Sequence, residues 1–479
     1  MNKFLLTIIV LCIVIYSNGI QGRWVSDDIT GIVQTGVPAR YIDCRDVTDV
    51  TRMLCGKISY FVSGGLDYRV FHAFNISLHL INSVLVFLFL LIFFKREVSF
   101  WGALIFTAHP VHTEAVTWIS GSPYLWAAMF ILMTFLLYVY SGRYQSGQTG
   151  RAVDPLRKRY EGSSPSLPTI YLLSVLLYAI AMTGTAHWTL IFFPLMIVLY
   201  DFTYGNVKKN WLFWLPYLLI SLGWVIIKQG SIYSRLLYLQ PTSQIVAFSN
   251  PIQNFFYSLG THFKLLVLPL NLTFYHVPVT NIKTLFLVGG ITLGLILLVS
   301  PLLYKRAKPI FFALGIYVLF LAPSYSPVCI SWIVAERYLY FPVVAFCICI
   351  AFILSHFKGR FKEVFVSFLI ILIGFYSIRT IDRNEDWRNE IVLFVATVRS
   401  SPYSWQAHNN MGGVYLKIRD YEKALREFGL AIRLQPNAVE AHYNMALTYG
   451  ILGDKNKAIE CYSRVLKIKP KYKELGVKE

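Results

Sequence analysis

The sequence predicts an all-α protein: a polytopic helical membrane bundle of about eleven spans, followed by a short α-solenoid of helical repeats. Of the 479 residues, 56% are hydrophobic and only 14% are charged, and the mean hydropathy is +0.54. A soluble domain has roughly 45–50% apolar and about 25% charged residues, so the excess apolar side chains must face lipid or pack within it. Apolar runs of helical length recur up to residue 380, and a regular repeat follows them.

The first apolar run follows Lys3 and extends from Phe4 to about Tyr16. A cleaved signal peptide has a similar pattern, but no small-residue cleavage site follows, so we interpret the run as a retained helix. A span needs about 20 apolar residues, and fewer when it is packed in a bundle. The later runs centre on 71–94, 99–108, 122–140, 169–182, 188–204, 211–227, 284–304, 309–322, 338–356 and 363–379.

Basic residues lie in alternate loops and predict the orientation of the bundle. The formal charge is +19, and short loops rich in Lys and Arg are cytoplasmic by the positive-inside rule. We expect no nucleic-acid partner, because no basic patch is interleaved with exposed aromatics. The predicted cytoplasmic loops are near 95–96, 143–159, 208–209, 305–308 and 358–362.

The opposite loops are then periplasmic or lumenal, in a bacterial inner membrane or the endoplasmic reticulum. This alternation requires residues 255–276 to form an interfacial or re-entrant segment that does not cross. With that assumption, the non-cytoplasmic parts are 17–70, 109–121, 183–187, 228–283, 323–337 and everything after residue 380.

Proline residues at 402, 436 and 470 mark a repeat in the last part of the chain. The same interval relates Met411 and Met445, Tyr415 and Tyr449, Ala424 and Ala458, and Phe394, Phe428 and Tyr462. A period of about 34 residues with a small residue, an aromatic and a terminal Pro is typical of the tetratricopeptide repeat (TPR). The sequence therefore predicts a membrane domain over 1–380 and a TPR domain over 386–472. The TPR domain would comprise a degenerate half repeat at 386–402 and full repeats at 405–438 and 439–472.

Two adjacent carboxylates, Asp27 and Asp28, follow the first apolar run by a few residues. At the outer end of a helix such a pair can serve as a general base or bind a divalent cation. The simpler interpretation is a solvated acidic pair in a loop. A functional role is favoured because four other acids of the membrane domain share this loop: Asp43, Asp46, Asp49 and Asp67.

Histidines and polar residues mark two further external elements. His109, His112 and Glu114 lie in His-Pro-Val-His-Thr-Glu, which is not the spacing of a zincin. They form either a substrate pocket or an interfacial helix cap. Polar side chains also enter the second span at helical spacing, which places most of them on the face toward the bundle interior. These residues are Arg69, His72, Asn75, His79 and Asn82.

Further cations lie on the same predicted face. Glu336 and Arg337 open the tenth span; they form an ion pair with each other, or Arg337 holds a phosphate through bidentate hydrogen bonds. Lys264 and Arg235 are the other two cations. The sequence has no Walker A, Rossmann or Gly-x-Ser-x-Gly motif, which argues against ATP-driven transport and serine hydrolysis. It also lacks the internal symmetry of a transporter.

These motifs occur together in one order, and the combination resembles a known family. The chain is similar, over nearly its whole length, to the transmembrane and TPR-containing protein O-mannosyltransferases and their bacterial relatives, of the C-type glycosyltransferase superfamily. The residues that carry the resemblance are Asp27-Asp28, Phe71-His72 with Asn75 and His79, His109-Pro110-Val111-His112-Thr113-Glu114-Ala115-Val116, Pro269-Leu270-Asn271-Leu272, Glu336-Arg337-Tyr338-Leu339-Tyr340 and the TPR tail after Asp386-Trp387-Arg388.

The resemblance implies an enzyme that moves mannose or another hexose from a polyprenyl phosphate to a hydroxyl, expected on Ser or Thr of a protein. It implies Asp27 or Asp28 as the general base, and a protein acceptor or partner in the TPR groove. The resemblance does not assign a cofactor; a divalent cation at the site is left open. The donor phosphate would meet Arg337, Lys264, His187 and Arg235, and the substrate pocket would contain His109, His112, Glu114, Arg69, His72 and Glu336.

One stretch departs from the family pattern. Where relatives commonly have Ser-Lys-Glu before the sixth span, this chain has Thr183-Gly184-Thr185-Ala186-His187-Trp188, and we expect His187 to replace the lost Lys in part. Two alternatives therefore stay open. One is a non-catalytic, membrane-anchored TPR scaffold, and the other is a glycosyltransferase that acts on a glycolipid or polysaccharide.

Overall fold

The structure is a computed structural model. It describes residues 2–26, 28, 47–145, 167–185, 188–205, 207–238, 251–277, 282–325 and 332–470, and in these ranges every regular element is helical. The chain divides into two units. The first comprises Met1–Leu270 and Lys283–Glu385, and the second comprises Asn271–Ile282 and Asp386–Glu479.

The first unit is a bundle of helices. They are α1 (Asn2–Tyr16), α2 (Val47–Ser63), α3 (Tyr68–Leu90), α4 (Arg96–Ala108), α5 (Thr113–Thr117), α6 (Ser122–Gln145), α7 (Leu167–Thr185), α8 (Phe193–Tyr204), α9 (Val207–Tyr238), α10 (Pro251–Val267), α11 (Ile282–Arg306), α12 (Lys308–Tyr325), α13 (Val343–His356) and α14 (Gly359–Asp386). Single 3₁₀ turns connect several of them: Ser17–Gln21, Pro110–His112, Ile119–Gly121, Trp188–Phe192 and Glu336–Leu339.

Seven helical segments in the described ranges are long and apolar enough to cross a membrane, which confirms a polytopic bundle. The predicted number of about eleven spans is not confirmed, because most of the other apolar runs lie in shorter helices. The 13 residues of α4 rise only about 20 Å, against a hydrocarbon core of roughly 30 Å. The seven segments are Asn2–Gln21, Tyr68–Leu90, Ile119–Ser141, Asn210–Gly230, Gly289–Arg306, Lys308–Tyr325 and Gly359–Asp386.

Helix α10 lies in the segment for which the sequence predicts an interfacial or re-entrant course. It is not among the helices long and apolar enough to span. One face is buried and includes Asn254, Ser258 and His262, whereas Phe263 and Lys264 on other faces are exposed. The Ser258 hydroxyl donates to the Ile333 carbonyl at 3.2 Å. This helix is therefore amphipathic and packs its polar stripe inward.

The second unit contains the helical repeats. Its helices are α15 (Glu390–Ser400), α16 (Trp405–Lys417), α17 (Tyr421–Leu434), α18 (Val439–Ile451) and α19 (Lys455–Ile468). Ser404, Asp420 and Asp454 each cap the helix that follows by accepting a backbone N–H. Helices α16 and α17 approach closely because Gly412 faces the Phe428 ring.

A segment that the sequence assigns to an external loop of the bundle belongs to this second unit. The Phe274 ring lies 5.4 Å from the Trp387 ring and 6.2 Å from the Phe394 ring. The Ser401 hydroxyl donates to the Tyr275 carbonyl at 2.7 Å, and the Asn410 amide donates to the Tyr275 hydroxyl at 2.7 Å. Residues 271–277 thus pack on the first helices of the repeat array.

Candidate functional site: a buried polar cluster at one end of the bundle

The polar stripe of α3 anchors one end of the first unit. His72, Asn75, His79 and Asn82 are all buried, as the helical spacing predicts. The Asn75 amide donates to three carbonyls at the end of α5 and directly after it, at 3.1–3.3 Å: those of Val116, Trp118 and Ile119. His72 Nε2 lies 2.8 Å from the Gly22 carbonyl. The stripe therefore fixes both the segment after α1 and the segment before α6.

Arg69 differs from the rest of this stripe. Its side chain is 62% exposed and pairs with Asp67 at 2.7 Å. Asp67 also caps α3 by accepting the Arg69 backbone N–H. The prediction that most of the stripe faces inward holds for the other four residues, whereas Arg69 lies at the surface beside its capping acid.

Asp28 is fully buried on the segment that follows α1. Its Oδ1 accepts the Ser120 backbone N–H at 2.8 Å and the Ser120 hydroxyl at 2.5 Å, and its Oδ2 accepts the Val25 N–H at 3.2 Å. These donors compensate the burial of a carboxylate and fix its orientation. Ser26, two residues before, has φ of 52°; such a left-handed turn costs a non-glycine residue about 1–2 kcal/mol. The surrounding contacts therefore hold a strained turn.

The connection between α4 and α6 carries His109, His112 and Glu114, all of them buried. His109 Nε2 lies 3.0 Å from the Leu266 carbonyl, and His112 Nε2 lies 3.2 Å from the Tyr340 carbonyl. Burial lowers the pKa of His109 to about 4, so this ring is neutral near pH 7. Among the described residues, no three His, Cys, Asp or Glu side chains are grouped as metal ligands.

Glu114 and Arg337 form a buried ion pair. Glu114 Oε1 accepts Arg337 Nη1, and its Oε2 accepts the Arg337 backbone N–H at 2.8 Å. Only 7% of Arg337 is exposed. Its guanidinium also lies 5.4 Å from the Trp118 ring centre and 5.1 Å from that of Tyr338, within the range of a cation–π contact.

The neighbouring acid, Glu336, pairs with a different cation. Arg383 near the end of α14 lies 3.3 Å from Glu336 Oε1, and both side chains are almost completely buried. Glu336 and Arg337 are adjacent in sequence, but each is paired with a distant residue. The alternative in which they pair with each other is therefore wrong.

The cluster brings together most, but not all, of the residues that the sequence singles out. Asp28, His72, His109, His112, Glu114, Glu336 and Arg337 converge there. Lys264 is exposed on α10. Asp27 and His187 lie outside the described residues, and so does the side chain of Arg235.

Several residues of the cluster were not predicted. Ser120, Trp118 and Arg383 carry no motif, although Arg383 is a basic residue at the end of an apolar run and could have been noticed on that ground. Asn384 accepts the Thr117 hydroxyl at 2.8 Å and donates to the Ile15 carbonyl at 2.9 Å. These contacts tie the end of α14 to α1 and α5.

The fold and this cluster define a multi-pass helical membrane protein with a TPR unit. The tetratricopeptide repeat family matches residues 406–438 and 439–472. The chain is 23% identical to Protein O-mannosyl-transferase F38B6.6 of Caenorhabditis elegans, across 86% of this chain and 59% of that protein. It is 26% identical to Protein O-mannosyl-transferase TMTC3 of Mus musculus, across 78% of this chain and 43% of that protein.

A third relative is Protein O-mannosyl-transferase TMTC1 of Homo sapiens, at 26% identity across 82% of this chain and 51% of that protein. These likenesses show that most of the chain is similar to proteins named as protein O-mannosyl-transferases. The chain spans about half the length of these relatives. No solved structure matches it significantly.

Proposed function

We propose that this protein is an integral membrane glycosyltransferase that moves a sugar, mannose or another hexose, from a polyprenyl phosphate to a Ser or Thr hydroxyl of a protein. The relatives named as protein O-mannosyl-transferases match most of this chain, and so support the reaction class. The active face and the TPR unit are proposed to be periplasmic or lumenal, and the TPR groove to bind a protein acceptor or partner.

One observation supports the proposal most directly: a buried carboxylate and a buried guanidinium both contact the same short turn. Asp28 accepts two hydrogen bonds from Ser120, and Arg337 lies over the ring of Trp118, two residues earlier. The turn itself is tight, since a Cβ on Gly121 would lie 2.5 Å from the Ala115 carbonyl oxygen. A carboxylate and a guanidinium thus contact residues of one tight turn.

Transfer to a hydroxyl needs both groups. A Ser or Thr hydroxyl is a weak nucleophile and requires a base; that role is proposed for Asp28 or its neighbour Asp27. The leaving polyprenyl phosphate carries negative charge that a cation stabilises, and Arg337 is proposed for this role. Single displacement forms the bond from the acceptor oxygen to the anomeric carbon as the bond to the phosphate oxygen breaks. The hydroxyl proton passes to the carboxylate.

One observation favours the scaffold alternative. Arg337 is already paired with Glu114, and Lys264 is exposed. A donor phosphate would have to share Arg337 with Glu114. A non-catalytic, membrane-anchored TPR protein would keep this ion pair only to hold the bundle together.

The test is sugar transfer by the purified full chain in liposomes supplied with polyprenyl-phosphate mannose and a Ser/Thr-containing acceptor peptide. We expect Asp28→Asn or Asp27→Asn to lower the rate by about 10²–10⁴, as loss of a general base does. Asp67→Asn is the matched control, since it removes an acid of the same loop whose partner lies at the surface. Transfer at the wild-type rate by both Asp27→Asn and Asp28→Asn would falsify the assignment.

A further inference from the structure

A second polar region lies at the other end of the same helices. Helices α3, α4, α13 and α14 contribute to the buried cluster with one terminus each. Their opposite termini surround a cavity of about 660 Å³, within the usual range for small-molecule sites of roughly 300–1,000 Å³. It is lined by Phe93, Phe94, Lys95, Glu97, Val98, Pro309, Phe352, Leu354, Ser355, His356, Phe357, Lys358, Gly359 and Lys362.

Cations dominate the charged part of this lining. Lys95, Lys358 and Lys362 outnumber the one acid, Glu97. Lys362 Nζ lies 3.9 Å from Glu97 Oε2, and these side chains are 43% and 74% exposed, so this is a loose surface pair. Lys95 and Lys358 make no ion pair with any residue that the structure describes. The cavity therefore carries a net positive charge with two cations available to a ligand.

Phenylalanine rings form most of the apolar part of the lining. Phe352 packs on the His356 ring with 4.1 Å between ring centres, and Phe93 lies 6.2 Å from Phe94. A cation-rich rim beside an apolar wall suits a ligand that has an anionic head and an apolar tail. Basic pockets between transmembrane helices bind the head groups of anionic lipids for this reason.

The loops around this cavity are rich in basic residues. From the sequence alone, the positive-inside rule is enough to explain these residues. In the structure, two of these basic segments, 91–95 and 356–362, meet at one concave surface. Lys95 precedes α4 and Lys358 precedes α14, so the positive ends of two helix dipoles lie beside the rim. Orientation in the membrane requires basic loops but no cavity between them.

We propose that this cavity binds the phosphate group of an anionic membrane lipid, with Lys95 and Lys358 contacting the phosphate and the phenylalanine wall contacting the tail. The site is separate from the buried polar cluster, and it does not depend on the sugar-transfer reaction. A free inorganic phosphate has the same head-group chemistry but lacks the tail.

The test is a binding titration of the purified full chain in a neutral detergent, read by native mass spectrometry. The probes are dioctanoyl phosphatidylglycerol, dioctanoyl phosphatidylcholine and inorganic phosphate. We expect phosphatidylglycerol to bind at least tenfold more tightly than phosphatidylcholine. Lys95→Gln combined with Lys358→Gln should weaken phosphatidylglycerol binding by about tenfold or more.

The matched control is Lys305→Gln combined with Arg360→Gln. It removes the same charge from the end of α11 and the start of α14 but changes no residue of the lining. If this control retains wild-type affinity, the lining residues form a specific binding site. Equal losses of affinity in both double variants would show only a non-specific effect of surface charge and overturn the proposal. Displacement of phosphatidylglycerol by equimolar inorganic phosphate would overturn the assignment to a lipid.

Discussion

Replacing Glu114 with Gln should strongly destabilise the bundle, because it leaves the guanidinium of Arg337 buried without its counter-charge. Gln keeps the shape of Glu, so the change removes charge and little volume. Arg337 is only 7% exposed and cannot regain hydration without moving. Breaking a buried ion pair by removing one partner costs about 3–5 kcal/mol, a large share of the stability of a typical domain.

The assay is the free energy of unfolding of the purified full chain, measured by titrating sodium dodecyl sulfate into mixed micelles. Glu97→Gln is the control, since Glu97 is 74% exposed and its distance to Lys362 is 3.9 Å; an exposed pair is worth about 0–1 kcal/mol. Changing both Glu114 and Arg337 to apolar residues should recover much of the loss. If Glu114→Gln lowers the free energy of unfolding no more than Glu97→Gln does, the buried ion pair does not stabilise the bundle as proposed.

Two further predictions concern the second unit. Gly412→Ala should destabilise the TPR unit by about 1–3 kcal/mol, because the new Cβ would lie 2.5 Å from the Phe428 ring. Gly413→Ala should not destabilise the unit, because a Cβ there has no atom within 4 Å. Thermal unfolding of both variants checks this difference. The hydrogen bond to Glu427 raises the pKa of His408 above 6.5. The stability that protonated His408 contributes to the folded unit is complete below pH 6.5 and is lost as the pH rises through the raised pKa. Unfolding curves from pH 5.5 to 8.5 should show this slope, and His408→Gln should remove it. An unchanged slope in His408→Gln contradicts the assignment.

The class of fold could be predicted from the sequence because it depends on local patterns. Apolar runs, basic loops and the repeat of Pro402, Pro436 and Pro470 are each visible within a short window. The number of spans was harder to predict than the class of fold. Helices α4 and α13 are short, but their apolar runs resemble spans in the sequence. Membership of 271–277 in the TPR unit depends on the contacts of Phe274 and Tyr275 with residues far along the chain, which no local pattern records.

The candidate site could be predicted in part. Helical spacing correctly placed His72, Asn75, His79 and Asn82 on a buried face. The ion pairs could not be predicted, because adjacent side chains such as Glu336 and Arg337 do not face each other. Their partners are 223 and 47 residues away, and a single sequence does not record which distant residues meet.

We propose that this protein transfers a sugar from a lipid phosphate to protein hydroxyls. The most direct measurement is mass spectrometry of glycoproteins and polyprenyl-phosphate lipids from cells that have or lack the protein. Loss should remove a hexose from Ser or Thr residues and cause polyprenyl-phosphate hexose to accumulate; re-expression of the wild type, but not of a variant carrying both Asp27→Asn and Asp28→Asn, should restore the modification. Identical glycans and lipids in both cell types would contradict the proposed sugar transfer.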